Sequence, residues 1–191
     1  MSVARGISCE YLSPDPFLQS LLLPVRYPSS FFTQLLLLPG RICLIAHDTA
    51  DANTPVAFIS ACLRQSQPAD HLTYLSHDLK PPLCESPDPA HWIEILTLGV
   101  LPEYQKRGIA SLLVRRVYEY FRASLFPASH LNDGTMVRAN VATSNVSALS
   151  FYKRLGMRIV SDVISNLYRT CSYGSRDAYL VSGFLYFSDN L

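Results

Sequence analysis

A short basic stretch in the middle of the chain has the residue types that bind a phosphate. It is Gln105–Ala110, which reads Q-K-R-G-I-A. Lys106 and Arg107 supply positive charge, and Gly108 is small enough for phosphate oxygens to approach the backbone closely. If a helix begins here, its first turn adds free backbone N–H groups and the positive end of its dipole. The stretch therefore predicts a pyrophosphate-binding turn. An ordinary strand–helix connection is the alternative for these residues alone.

The elements on either side would place this stretch between the end of a strand and the start of a helix. Trp92–Val100 is rich in apolar and β-branched residues, which predicts a strand. After the basic stretch, apolar residues recur at intervals of three and four, which predicts a helix with one buried stripe. The stripe consists of Ile109, Leu112, Leu113, Val117, Tyr120 and Phe121.

A second strand and helix follow later in the chain. The pattern predicts a strand at Met136–Thr143 and a short helix at Asn145–Leu155. Asn145 suits the amino-terminal cap of that helix, and Gly156 suits the residue that ends it.

The remaining segments predict a mixed α/β layer structure in one domain covering residues 1–191. Gln65–Ala90 contains five of the thirteen prolines and is predicted to be a long surface loop inserted in that domain. The polar link Asp48–Thr54 is predicted to join two strands as a hairpin. The other predicted elements are helices at Phe17–Leu23 and Ser29–Leu38 and strands at Gly6–Leu12, Arg41–His47, Pro55–Leu63, Met157–Val163 and Asp177–Phe187.

Composition and charge narrow the function classes. Hydrophobic residues make up 49% of the chain, which indicates a folded core rather than disorder. The net charge of +1 gives no indication of nucleic acid or a membrane surface as a partner. The longest runs without a charged residue have 14 residues, whereas a membrane-spanning helix needs about 20.

The cysteines and histidines predict a reduced, metal-free protein. Five cysteines are scattered without a C-x-x-C pair, which indicates reduced thiols and a cytosolic location. The first residues lack the basic-then-apolar order of a signal peptide, which agrees with that location. A zinc site could be assembled from His71, His77, Cys84 and His91, but their spacings fit no common ligand pattern.

Two motifs together resemble the acetyl-CoA-binding core of the GNAT acetyltransferase superfamily. The first is Q-x-x-G-x-A at Gln105–Ala110. The second is N-x-x-A-x-x-F-Y-x-x-x-G-M at Asn145–Met157, where Met157 replaces the usual Phe. The resemblance covers about residues 41–187. It implies the GNAT fold, an α/β fold with a mixed, mostly antiparallel seven-stranded sheet and about four helices. It also implies acetyl-CoA (CoA) as cosubstrate, with no metal.

The same resemblance assigns residues to acetyl-CoA. The strand residues Leu98, Gly99 and Val100 would lie along the pantetheine arm, with the Val100 N–H facing the carbonyl oxyanion. Asn145 and Ser147 would contact the same arm. The pyrophosphate would be held by Gln105, Lys106, Arg107, Gly108, Ile109, Ala110 and Ser111.

Within the superfamily, the chain most resembles protein N-terminal acetyltransferases, chiefly the NatE catalytic subunit and more distantly the NatF type. Two further motifs would hold the substrate's first residue and its peptide backbone. They are Leu23, Pro24, Val25 and Tyr27 in the first motif, and Leu167 and Tyr168 in the second. A helix–helix linker is the alternative for the first motif, and its Leu23 stands where the family has Phe, which widens the pocket.

This closer resemblance implies a substrate and partners. The substrate would be the free amino terminus of a nascent or mature protein, with Met followed by an apolar residue. A NatA-type or ribosome-associated complex is the implied partner, without direct contact to nucleic acid or membrane.

The candidate catalytic residues are Glu94, Asn140 and Tyr152. Glu94 stands where NatE enzymes have a Tyr on the fourth strand, and Asn140 where they have a His on the fifth. Glu94 instead resembles the general-base glutamate of GNAT histone lysine acetyltransferases, because a carboxylate among apolar neighbours can accept a proton near neutral pH. A solvated charge or an ion pair is its alternative role. Tyr152 would protonate or orient the leaving thiolate, and core packing is its alternative role.

Two other functions stay open on the sequence. One is N-acetylation of lysine or of a small amine. The other is a weakly active GNAT binding subunit of a ribosome-associated acetyltransferase complex, since the family's Tyr and His are both replaced. The intact cofactor loop favours an enzyme.

Overall fold

Seven strands and three α-helices make up the described part of the chain. The computed structural model describes residues 7–11, 29–66, 90–125, 134–168 and 174–186. The strands are β1 (Ile7–Tyr11), β2 (Arg41–Asp48), β3 (Asp51–Gln65), β4 (His91–Val100), β5 (Thr135–Ala142), β6 (Arg158–Ile159) and β7 (Ala178–Leu185). The helices are α1 (Ser29–Leu37), α2 (Ile109–Leu125) and α3 (Val146–Arg154), with a 3-10 helix at Pro102–Tyr104.

The seven strands form one sheet in the order β1-β2-β3-β4-β5-β7-β6. Neighbouring strands are antiparallel except β4 and β5, which are parallel. The predicted mixed, mostly antiparallel seven-stranded sheet is confirmed. About four helices were expected, and the described residues contain three α-helices and one 3-10 helix. The predicted helix Phe17–Leu23 and residues 67–89 of the Pro-rich loop lie outside the described residues.

Helix α2 covers the centre of the sheet. It packs against β2, β3 and β4, and it buries Ile109, Leu113, Val117 and Phe121, which are spaced by four residues along one face. This contact fixes the start of α2 beside the end of β4. Tyr120 was predicted to belong to the buried stripe, but it is 37% exposed.

The turn between β2 and β3 is tighter than predicted. The sequence suggested a polar link at Asp48–Thr54, but β3 already begins at Asp51. Asp48 Oδ1 accepts a hydrogen bond from the Ala50 N–H at 3.0 Å, which closes the turn locally. The aspartate is therefore part of the hairpin rather than of a loose loop.

Strand β6 is shorter than predicted. The sequence suggested a strand at Met157–Val163, but only Arg158–Ile159 form it. The cause is a side chain: the Ser161 hydroxyl accepts the Leu180 N–H at 2.9 Å, where a continuing strand would offer a backbone carbonyl. The prediction of a long sixth strand is wrong for this reason.

Both ends of α3 form as predicted. Asn145 Oδ1 accepts the Ala148 N–H at 3.1 Å, which caps the amino terminus. Gly156 has φ +86°, and the Met157 N–H donates to the Tyr152 carbonyl at 3.0 Å. This is the glycine-ended helix stop in which the left-handed residue turns the chain back.

Candidate active site

The pairing between β4 and β5 stops early, and the space between the unpaired ends of the two strands is called the cleft below. The two strands pair only from Ile93 to Ile95 on β4, although β4 continues to Val100. Just beyond, Ile95 and Thr97 face neighbouring residues of β3, so Leu96 forms a bulge without a partner there. A bulge bends its strand and increases the local twist. The last residues of β4 consequently pair with β3 alone on the described sheet.

A buried pair of hydroxyls fixes the register next to the bulge. Ser60 on β3 and Thr97 on β4 are both buried, and their side chains are hydrogen-bonded to each other. Buried hydroxyls need such a partner, so a shift of β4 against β3 would cost this bond. The pair therefore holds the bend that opens the cleft.

The backbone of β4 presents polar groups to the cleft. The Leu101 N–H donates to the Val56 carbonyl on β3 at 2.9 Å. Because the hydrogen-bonding direction alternates along an antiparallel strand, Val100 and Leu98 direct their N–H and C=O groups away from β3, toward the cleft. Gly99 between them is buried and faces its amide to β3.

The backbone of β5 lines the opposite side of the cleft. The Thr143 N–H donates to the Asp177 carbonyl at 2.9 Å on the β7 side, so by the same alternation Asn140 directs its backbone toward β4. The Asn140 carbonyl accepts the Tyr168 hydroxyl at 2.8 Å. The structure thus brings Asn140 and Tyr168 together on the β5 side of the cleft. The adjacent Leu167 is exposed.

Glu94 lies at the closed end of the cleft and forms an ion pair. Its Oε2 accepts the Arg64 Nε–H at 2.6 Å and the Cys62 S–H at 3.7 Å. Burial raises the pKa of the Cys62 thiol to about 11, so the thiol keeps the proton that it donates. The Glu94 side chain is 23% exposed. The same carboxylate oxygen thus accepts from both β3 side chains.

The predicted cofactor loop forms the amino-terminal turn of α2. The Gly108 carbonyl accepts the Leu112 N–H at 3.0 Å, so the helix starts directly after Gly108. Backbone N–H groups of the first helical residues have no intrahelical acceptor. They belong to Ile109, Ala110 and Ser111. Gly108 has φ +83°, a conformation that favours glycine. Lys106 and Arg107 are exposed beside it, so the turn combines free donors with positive charge.

The Gln105 side chain forms a hydrogen bond with the end of β4. Its Nε2 donates to the Val100 carbonyl at 3.1 Å. The side chain therefore ties the loop to the end of β4, while the predicted contact with pyrophosphate stays a prediction.

The predicted residues of α3 are placed differently from one another. Tyr152 is 5% exposed and belongs to the hydrophobic core, and its ring contacts the Phe151 ring edge-on at 5.2 Å between centroids. Core packing, the alternative weighed for Tyr152, is thus observed. Asn145 uses its Oδ1 in the helix cap, and Ser147 is exposed in the first turn of α3.

Several predicted features lie elsewhere. Leu23, Pro24, Val25 and Tyr27 are outside the described residues, so their contact with a substrate stays a prediction. Within the described ranges, no three His, Cys, Asp or Glu side chains are grouped to hold a metal ion. Within the same ranges, no helix is long and apolar enough to cross a membrane.

Sequence reasoning missed the partners of the site residues. Arg64 and Cys62 alternate along β3, a pattern that places both side chains on one face, but the pattern does not indicate which β4 residue they meet. Asp48 and Tyr104 are hydrogen-bonded beside the cofactor loop, and nothing in their sequence neighbourhoods indicated it.

The chain matches a family model and a curated relative. The model described as the Acetyltransferase (GNAT) family matches residues 10–157. The Arabidopsis thaliana protein named Histone acetyltransferase MCC1 is 27% identical over 146 residues, which are 73% of this chain and 53% of that protein. The chain therefore spans about half the length of the curated relative it matches.

Three solved structures share this fold. Naa50 from Arabidopsis thaliana in complex with the bisubstrate analogue CoA-Ac-MVNAL has 23% identity and a TM-score of 0.63, covering 93% of this chain and 98% of that one. NAA60 from the same plant in complex with acetyl-CoA has 23% identity and a TM-score of 0.66, with the same coverage of 93% and 98%. Naa20 from Chaetomium thermophilum with a bisubstrate analogue has 20% identity and a TM-score of 0.63, covering 93% and 86%.

Proposed function

The chain belongs to the GNAT acetyltransferase family, and we propose that it transfers acetyl from acetyl-CoA to the free α-amino group of protein amino termini. The finer proposal is a cytoplasmic enzyme of the NatE type that prefers Met followed by an apolar residue. One observation carries it. The Tyr168 hydroxyl donates to the Asn140 carbonyl at the cleft, and Tyr168 is the residue that resembles the family's peptide-contacting tyrosine.

The cleft and the α2 turn suit the two ends of acetyl-CoA. The pantetheine amides would pair with Leu98 and Val100 as an added strand, and the Val100 N–H would stabilise the oxyanion that forms at the thioester carbonyl. Asn145 and Ser147 would lie along the same arm. The pyrophosphate would bind the free N–H groups of the α2 turn and the charges of Lys106 and Arg107.

The reaction needs one base and one group at the leaving sulfur. The amine nitrogen attacks the acetyl carbonyl, the C–S bond breaks and a C–N amide bond forms. Glu94, through a water, would take the proton that the amine loses. The thiolate takes up a proton, and Tyr152 is proposed to orient or protonate it while its ring packs in the core.

The chemistry of the nucleophile supports an amino terminus. An α-amino group has a pKa near 7.7–8.0, so roughly a tenth of it is neutral at pH 7. Lysine, with a pKa near 10.4, is neutral for well under about a thousandth. An α-amine loses its proton more easily than a lysine side chain does. It is therefore the better substrate for a site that lacks the family's Tyr and His pair. In addition, the Naa50 structure holds an analogue whose peptide part begins Met-Val, so this fold accommodates Met followed by an apolar residue.

Lysine acetylation is the second candidate. Its support is Glu94 at the position of the family's general-base glutamate, together with the curated relative that is named a histone acetyltransferase. The first observation concerns the base and the second a relative of which only 53% is covered, whereas Tyr168 concerns the peptide. We therefore place the amino terminus first.

A peptide panel tests the proposed preference. We expect a peptide starting Met-Leu to have a kcat/KM at least about tenfold above that of the matched Met-Asp peptide, because an apolar pocket would bury an unpaired carboxylate. Release of CoA is the measurement. If acetyl-CoA binds but no peptide of the panel is acetylated, the assignment as an N-terminal acetyltransferase is rejected. A preference for Met-Asp would reject the apolar pocket.

A further inference from the structure

We propose that Asp48 and Tyr104 are positioning residues that hold Arg107 where its guanidinium binds a phosphate of acetyl-CoA. The inference deepens the proposed function, since it rests on the assignment of the Gln105–Ser111 turn to phosphate binding. It concerns the cosubstrate only and is independent of which amine is acetylated.

The three side chains form a chain of contacts from the sheet to the loop. Tyr104 Oη donates to Asp48 Oδ2 at 3.0 Å, and Arg107 Cζ lies 4.9 Å from the centroid of the Tyr104 ring. A guanidinium within about 6 Å of a tyrosine ring is attracted to its face. Tyr104 is thus held by an acid at its hydroxyl and contacted by a cation on the face of its ring.

Hydrogen bonds and core packing hold Asp48 and Tyr104 in place. Asp48 ends β2, and its second carboxylate oxygen accepts the Ala50 N–H at 3.0 Å in the hairpin turn. Tyr104 itself packs against the hydrophobic core, and its N–H donates to the Leu101 carbonyl at 2.9 Å. In agreement, the hydrogen bond from Ala50, followed by that from Tyr104, lowers the pKa of Asp48, and the bond to Asp48 raises the pKa of Tyr104.

Arg107 lies next to the proposed phosphate-binding turn. Arg107 directly precedes Gly108, the residue at which the free N–H groups of α2 begin. A guanidinium binds phosphate through paired hydrogen bonds, but a free arginine side chain loses much rotamer freedom when it does so. Stacking on a fixed ring removes part of that loss before the ligand arrives. Tyr104 and Asp48 would therefore strengthen acetyl-CoA binding without touching it.

A double-mutant cycle tests the proposal by calorimetric titration with acetyl-CoA. We expect Arg107→Ala to weaken binding about tenfold and Tyr104→Leu about fivefold. In the Arg107→Ala background, Tyr104→Leu should weaken binding less than about twofold further, because its effect passes through the arginine. Tyr104→Phe keeps the packed ring and should lose only about twofold, which separates the proposal from a folding defect. Asp48→Asn keeps an acceptor for the hydroxyl and should lose less than Asp48→Ala.

The same titrations include a control variant and give the results that would overturn the proposal. Arg116→Ala removes an exposed arginine of α2 and should leave the affinity unchanged. Repeating the cycle with 3′-dephospho-CoA tells the two phosphate sources apart, since the Arg107→Ala effect disappears if Arg107 binds the 3′-phosphate and persists if it binds the pyrophosphate. An equal loss for Tyr104→Leu in both backgrounds, or an unchanged affinity in Arg107→Ala, would overturn the proposal. A wrong choice of amine substrate would leave all these affinities as they are.

Discussion

The Gly108→Glu variant is expected to lose binding of acetyl-CoA by at least about a hundredfold. The new carboxylate would stand at the start of α2, where the free N–H groups and Lys106 would otherwise meet the pyrophosphate, and two like charges at close range repel strongly. A side chain at φ +83° also strains the turn. Isothermal titration calorimetry of the two proteins with acetyl-CoA measures the loss.

Gly40→Glu is the matched control for this variant. Gly40 also has a positive φ, +70°, and it is exposed. It directly precedes β2 and is far in sequence from the cofactor loop. The substitution adds the same charge and the same type of backbone strain, so thermal unfolding should report similar losses of stability. Acetyl-CoA affinity should stay at the parent value in Gly40→Glu. An unchanged affinity in Gly108→Glu would show that this turn does not bind the phosphate.

The Glu94→Gln variant is expected to lower kcat/KM by about a hundred- to ten-thousandfold, the range for a general base. The amide keeps the size of the side chain but cannot accept the amine proton. Steady-state rates at varied peptide concentration and saturating acetyl-CoA give kcat/KM for the parent and for the variant.

Two further variants separate catalysis from the ion pair. Arg64→Gln removes the partner of Glu94, and a half-exposed pair of this kind is worth about 1 kcal/mol or less, so kcat/KM should fall less than about fivefold. Glu119→Gln breaks a comparable ion pair with Arg115 on α2, at 2.8 Å, and should leave the rate unchanged. If Arg64→Gln reproduced the whole loss, Glu94 would be an ion-pair residue rather than the base.

The helices around the cleft could be predicted because their signals are local. The spacing of apolar residues located the start of α2 at Ile109, and Asn145 and Gly156 mark the two ends of α3 within one turn of each. The length of β6 could not be predicted in this way. It depends on a hydrogen bond between Ser161 and Leu180, which are 19 residues apart, and a serine in a strand-like segment gives no indication of it.

The candidate site was predictable in its motifs and unpredictable in its contacts. The Gln105–Ser111 motif and Glu94 stand out in the sequence, whereas Arg64, 30 residues from Glu94, meets it only through the register of β3 against β4. A one-residue shift exchanges every facing side chain, and no residue type marks the bulge at Leu96. The hydrogen bond between Asp48 and Tyr104, which are 56 residues apart, could not be predicted for the same reason.

Competition between two peptides tests most directly whether the acetyl acceptor is an α-amine. One peptide starts with a free Met-Leu, and the other has the same sequence with a blocked amino terminus and an internal lysine. With both present and acetyl-CoA supplied, mass spectrometry follows each product. We predict that the free amino terminus is acetylated at least about tenfold faster, given the larger neutral fraction of an α-amine near neutral pH. Faster acetylation of the blocked peptide would contradict the proposal and assign the enzyme to the lysine acetyltransferases.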